Sequence, residues 1–218
     1  MPKRALLKHR PWLLASVAAA TAFYFLSNDP IGGIQLMLLK GLGVALLAIY
    51  VLRRHLSVDG GILAAVMALS AIGDMAIEVS FIAGGAAFFL AHIAAIALYF
   101  RHRRQHPTSS QKLAGAALFI FTPVISYLLT KDAGVTFYAA GLGTMAALAW
   151  LSRFPRYRVG VGAVLFVVSD WLIFYRMGQG GQSALADWLV WPLYYSGQFM
   201  IATGVVQSLR NDLPLDRD

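Results

Sequence analysis

The sequence predicts an all-α, polytopic membrane protein with eight transmembrane helices and both termini in the cytoplasm. Three observations carry that expectation. The chain is 59% hydrophobic and only 13% charged, whereas a soluble domain runs at roughly 45–50% apolar and about 25% charged residues. Its apolar residues gather into runs at 11–27, 32–52, 59–79, 82–101, 112–130, 133–151, 158–177 and 186–209, each near the ~20 residues that a helix needs to cross a bilayer. The linkers between these runs alternate in charge. A mean hydropathy of +0.66 excludes both a soluble globular protein and a disordered one. In 218 residues such runs leave no space for a soluble domain, so a single integral-membrane domain occupies 1–218.

Taken in order, each element has its own signals. The first run follows Lys3, Arg4, Lys8 and Arg10 and stops at Asn28-Asp29-Pro30. Basic residues ahead of Trp12–Leu26, with Ala18, Ala19 and Ala20, also fit a secretory signal peptide; a retained helix is preferred because it puts every basic loop on one side. The second run carries Lys40 and ends at Arg53 and Arg54. The third opens at Asp59-Gly60-Gly61, and the fourth runs into Arg101, Arg103 and Arg104 before His106-Pro107 and Lys112. Lys131-Asp132-Ala133-Gly134 divides the fifth from the sixth. Arg153, Arg156 and Arg158 lead into the seventh, Gly178–Ser183 separates it from the eighth, and Arg210 and Arg217 follow.

These alternate loops hold fifteen of the 18 Lys and Arg; the opposite loops hold only Lys131 and Arg176. The positive-inside rule therefore places the basic side in the cytoplasm, which for a bacterial protein means the cytoplasmic (inner) membrane. The formal charge of +8 is a topology signal, and nucleic acid is not an expected partner; the lipid bilayer is. The absence of cysteine excludes a disulfide scaffold, a thiolate metal site and a cysteine nucleophile.

A short internal echo pairs Leu69–Ile77 in the third run with Phe166–Ile173 in the seventh. Both runs cross from inside to outside, as a parallel four-plus-four repeat requires, and the echo predicts two aspartates facing each other at one depth. A helical rise places Asp74 about 8 Å and Asp170 about 10 Å below the outer ends of their runs, Lys40 ~12 Å, Tyr194 and Tyr195 ~13 Å, His92 ~15 Å and Gln198 ~18 Å deep. Together they form a polar layer in the outer half of the membrane, where ionisable groups are rare and mark function. Ser70, Asp74 and Glu78 share one helical face, Trp191, Tyr194, Tyr195 and Gln198 a second, and Phe88, His92 and Tyr99 a third.

Each residue also has a plainer reading. Asp74 fits a structural carboxylate paired with Lys40, and Lys40 fits ion pairing as well as phosphate binding. Glu78 sits near the interface and is read as solvated; His92 and Gln198 fit hydrogen-bonded helix packing. Tyr194 and Tyr195 fit an interfacial belt, and Arg176 a snorkelling side chain. Paired glycines at 41/43, 84/85, 141/143 and 160/162 are read as close-packing positions. With one intramembrane histidine, no metal site is expected, and no phosphate loop, dinucleotide fingerprint or nucleophile elbow occurs. No cofactor is expected, and any chemistry must come from carboxylates.

Several of these motifs coincide in one family. Lys40, the Ser-x-x-Gly-Asp ending at Asp74, Phe81–His92, Gly162–Asp170 with Ser169 beside the acid, and Tyr194-Tyr195-Ser196-Gly197-Gln198 resemble, in order, the YhhN-like family that contains the transmembrane lysoplasmalogenases. Gly41 stands where a proline is expected in many relatives, and Glu78 is an additional acid. The resemblance implies a hydrolase that takes a lysophospholipid substrate, a lysoplasmalogen, and cleaves its vinyl ether bond to a fatty aldehyde and a glycerophospho-alcohol. Such a reaction needs one protonated and one ionised carboxyl, the logic also used at glycosidic bonds. Asp74 and Asp170 are the expected acid and base, with His92, Tyr195 and Gln198 orienting water or substrate, and Lys40 and Arg176 near the head-group phosphate. Other readings are a proton-coupled transporter of a small or amphiphilic solute, an intramembrane aspartyl protease, against which Ala71-Ile72-Gly73-Asp74 and Trp191-Pro192-Leu193 both count, and a non-catalytic scaffold.

Overall fold

The computed structural model describes residues 10–27 and 33–211. Lys3, Arg4, Lys8, Asn28-Asp29-Pro30 and Arg217, with the expected start of the second run, lie outside the described residues. Among those described are the α-helices α1 (Arg10–Leu26), α2 (Ile34–Arg54), α3 (Val58–Ala76), α4 (Phe81–Arg101), α5 (Ser109–Thr130), α6 (Ala133–Leu151), α7 (Val161–Gly178) and α8 (Ala184–Asn211). A π-helical turn, Arg156–Gly160, leads into α7. Six helices, α2 to α7, are long and apolar enough to cross a membrane. The protein is an all-α, polytopic membrane protein.

Caps explain where the boundaries differ from the apolar runs. The Ser80 hydroxyl accepts from Ala83 N–H and starts α4, so the chain turns between Ala76 and Ser80. Glu78 therefore sits in that turn, not on the α3 face it was expected to share with Ser70 and Asp74. α5 begins at Ser109 rather than 112 because Thr108 and Gln111 form a reciprocal capping box. Asp132 caps α6 by accepting from Val135 N–H at 2.8 Å.

The first four helices pack in sequence, and then the order breaks. α4 packs against α6, α5 lies outside against α6 and α7, and α8 closes the bundle against α7, α2 and α3. On α5, Phe119, Ile120, Phe121, Val124 and Leu128 face outward, as lipid solvent permits. A close backbone crossing joins α7 to α8. A Cβ at Gly162 would lie 2.8 Å from the Gly197 carbonyl oxygen, and one at Gly197 would lie 2.6 Å from that of Gly162. Only glycine at both positions lets the backbones touch. In α8, Pro192 leaves the Trp188 carbonyl without its helical donor; that oxygen accepts instead from the Tyr24 hydroxyl of α1 at 3.4 Å.

One end of the bundle is knitted by its basic residues. Asp59, at the start of α3, accepts from Arg101 Nε and His102 Nε2, each at 2.8 Å. Arg153 N–H donates to the His102 carbonyl at 2.8 Å, and Arg104 N–H to that of Leu151 at 3.1 Å. Arg158 donates to Gln207. Basic loops thus bind the helix ends on their own side and leave the opposite end to the cavity described next.

Candidate functional site

Because α4 skips over α5 to reach α6, the bundle encloses a space between α3, α4, α6, α7 and α8. A cavity of about 640 Å³ fills it, within the ~300–1,000 Å³ that holds a small ligand. Its apolar wall includes Ile77, Phe81, Phe88, Phe89 and Phe174, and its polar members include Lys40, Asp74, Ser169, Asp170 and Tyr194. Asp74 comes from the last turn of α3 and Asp170 from the middle of α7; they are 2% and 6% exposed. Both carboxylates line this one cavity.

Among the described residues neither carboxylate forms an ion pair. Tyr194 of α8 donates its hydroxyl to Asp74 Oδ2 at 2.8 Å, and Tyr138 of α6 donates to Asp170 Oδ2 at 2.8 Å. Among the described residues no protein group hydrogen-bonds either Oδ1. The two acids differ behind their tyrosines. His92 Nε2 lies 3.1 Å from the Tyr138 oxygen. With Asp170 ionised, the phenolic proton goes to its carboxylate and the imidazole donates through Nε2; with Asp170 protonated, the same contacts run in the opposite direction. The result is a hydrogen-bonded chain of His92, Tyr138 and Asp170 across α4, α6 and α7.

Aromatic edges hold this arrangement. Phe88, Phe166 and Tyr194 meet pairwise edge to face, with centroids 5.1 to 6.0 Å apart, and the His92 ring packs on Phe166 at 5.2 Å. The missing Cβ of Gly73 makes space for Phe88: a methyl there would lie 2.8 Å from the ring. Among the described residues no group of three or more His, Asp or Glu has the arrangement to hold a metal ion.

The family model of the YhhN family matches residues 35–205, well over half of the chain. The chain belongs to the YhhN family. Comparisons with curated proteins and with solved structures find no match. In this YhhN chain the matched stretch opens in α2 ahead of Lys40 and closes in α8 beyond Gln198, so every candidate site residue lies inside it. α1 lies outside.

The structure distributes the expected residues of this YhhN site unevenly. Lys40 lines the cavity, and its ammonium meets Glu78 Oε1 at 2.5 Å, so the plainer reading of Asp74 as the ion-pair partner of Lys40 is not what the structure shows. Ser169 lines the cavity too, but its hydroxyl is turned to the Val190 carbonyl of α8 at 3.0 Å. Tyr195 points to the far side of α8, where its hydroxyl meets Ser16 of α1 at 2.7 Å. Ser16 itself donates to the Gly43 carbonyl at 2.6 Å. Gln198 is 1% exposed and stands outside the cavity wall, beside the Tyr194 hydroxyl that holds Asp74. Arg176 pairs with Asp187 at 3.0 Å and is not in the wall.

Tyr138 is the residue that sequence reasoning missed. Its depth in the sixth run is about 8 Å, the level of both aspartates, and that coincidence was the available signal. A tyrosine so near a helix end otherwise reads as part of an interfacial belt.

Proposed function

We propose that this chain is an intramembrane hydrolase of the lysoplasmalogenase type, cleaving the vinyl ether bond of a lysoplasmalogen to a fatty aldehyde and a glycerophospho-alcohol. One observation carries the proposal: Asp74 and Asp170 line one largely apolar cavity, each held by a tyrosine hydroxyl. Membership of the YhhN family supports it. One carboxyl protonates the outer vinyl carbon, and the positive charge spreads onto the ether oxygen. The second carboxylate takes a proton from water as the water oxygen adds to the carbon bearing that ether oxygen. The hemiacetal hydroxyl then gives its proton to the first carboxylate as the bond to the glycerol oxygen breaks, and the second carboxyl gives that leaving oxygen a proton. Substrate plus one water becomes aldehyde plus alcohol, and both carboxyls return to their starting states.

The proposal extends to the setting. All eight helices cross the membrane, which for a bacterial protein is the inner membrane, with both termini cytoplasmic, and two halves of four helices contribute one aspartate each. Lys40 binds the phosphate of the head group, and Glu78 stands ready for its ammonium. The deciding experiment measures aldehyde release from a lyso vinyl-ether phospholipid by detergent-purified protein, beside folded Asp74→Asn and Asp170→Asn variants. Release by wild type and loss in both variants supports the hydrolase. Turnover in micelles, where no gradient exists, removes the proton-coupled transporter; no release from wild type sinks the proposed activity.

A further inference from the structure

The cavity is polar and closed at depth but apolar and open on one side. Asp74, Ser169 and Asp170 are buried, whereas Ile82 and Phe137, which line the same space, are 84% and 67% exposed. These two come from the outer ends of α4 and α6. Deeper down, the same helices are sealed: Phe89 stacks on Phe137 with centroids 5.2 Å apart, and its ring covers Gly141, where a Cβ would come within 2.6 Å. Above that stack the wall thins to small residues. Gly85 of α4 and Gly134 of α6 both line the cavity, and a Cβ built at Gly85 meets nothing within 4 Å. A glycine in a helix, with space beside it and an exposed apolar rim, lowers helix propensity without serving packing.

We infer that the gap beside Gly85, between α4 and α6, is a lateral portal through which the hydrocarbon chain of the substrate lies while its vinyl ether sits at Asp74 and Asp170. This inference rests on the proposed function and adds a residue that selects by chain. The occupant follows from the surroundings. A gap rimmed by Ile82, Phe89 and Phe137 in a membrane-spanning bundle faces hydrocarbon, and an alkyl chain passing through it exchanges one apolar solvent for another. The head group is left at the Lys40–Glu78 pair, on α2 and the α3–α4 turn, across the cavity from α6. An amphiphile so placed spans the site from charge to lipid with its reactive bond between.

Two measurements test it. The first compares kcat/KM for aldehyde release from long-chain and short-chain lyso vinyl-ether phospholipids in micelles, for wild type and Gly85→Trp. The indole fills the gap, and the long-to-short ratio of kcat/KM falls by about tenfold or more. An unchanged ratio, or an equal loss at both lengths, overturns the portal. The second needs no turnover. The chain contains no cysteine, so Gly85→Cys creates the sole thiol, and its labelling by an alkyl maleimide is followed with and without a long-chain 1-O-alkyl lysophospholipid. Slower labelling with the long-chain ether and no protection by a short-chain one is the expected result; equal labelling rates overturn the portal. If wild type releases no aldehyde at any chain length, the proposed activity fails, while the labelling still decides the portal.

Discussion

Asp74 and Asp170 line one cavity yet have different support. Tyr194 holds Asp74 from within the aromatic trio, whereas Tyr138 is itself held by His92. Removing the Tyr138 hydroxyl leaves the carboxyl in place but free to turn. Tyr138→Phe is expected to lower kcat by about 10- to 100-fold with little change in KM, the pattern of an interaction that matters in the transition state; a change confined to KM would show that Tyr138 only shapes the binding site. Lys40→Ala should raise KM, because its ammonium is the proposed ligand of the head-group phosphate. An untouched KM would dismiss Lys40 as a ligand and leave it as the partner of Glu78. Sequence alone brought forward Lys40, Asp74 and Asp170, because an ionisable group in an apolar run stands out. It passed over Tyr138, because tyrosine is ordinary near the end of any such run.

At the scale of elements, helix contacts are set by the smallest residues. Gly162 and Gly197 let α7 and α8 meet backbone to backbone, and the same helices carry Asp170 and Tyr194. Gly197→Ala forces a methyl against a carbonyl that cannot retreat without moving α7, so a loss of about 1–3 kcal/mol is expected. Gly85→Ala meets open space and gains helix propensity of roughly 0.5–1 kcal/mol. Thermal unfolding in detergent should therefore move in opposite directions for the two variants; shifts of the same sign would contradict the crossing. The paired glycines were visible as close-packing signals in the sequence, and Gly85, where a Cβ would meet nothing within 4 Å, departs from that reading. Which glycine meets which helix was not, because a GxG pattern states only that something comes near. The turn at Glu78 was likewise obscured, since hydropathy continues through Ile77 and Val79 while the Ser80 cap ends the run.

Across the whole molecule the charge distribution makes a topological statement. Basic residues knit one end through Asp59, Arg101, His102 and Arg153, and the cavity opens toward the other. With no native cysteine, single thiols report orientation cleanly. Gln105→Cys, on the basic side, is expected to react with a membrane-impermeant maleimide only after intact cells are permeabilised, whereas Gln179→Cys, in the turn after α7, should react from outside. The opposite pattern would invert the proposed orientation and with it the leaflet that supplies substrate.

The sequence by itself determined the class of this protein: all-α, membrane-embedded, with its helices in nearly the right places and its charges sorted by side. Those properties are local and additive, since apolar length, cap residues and loop charge act where they stand. Tertiary structure alone decided that α4 packs on α6 rather than α5 and so opens a cavity. It also decided that Lys40 goes to Glu78, that tyrosines from α6 and α8 hold the aspartates, and that Tyr195 turns away to Ser16. In lipid, any apolar face satisfies any other, so the order of packing is settled by shape and hydrogen bonds between distant helices, and no stretch of the chain contains that information by itself.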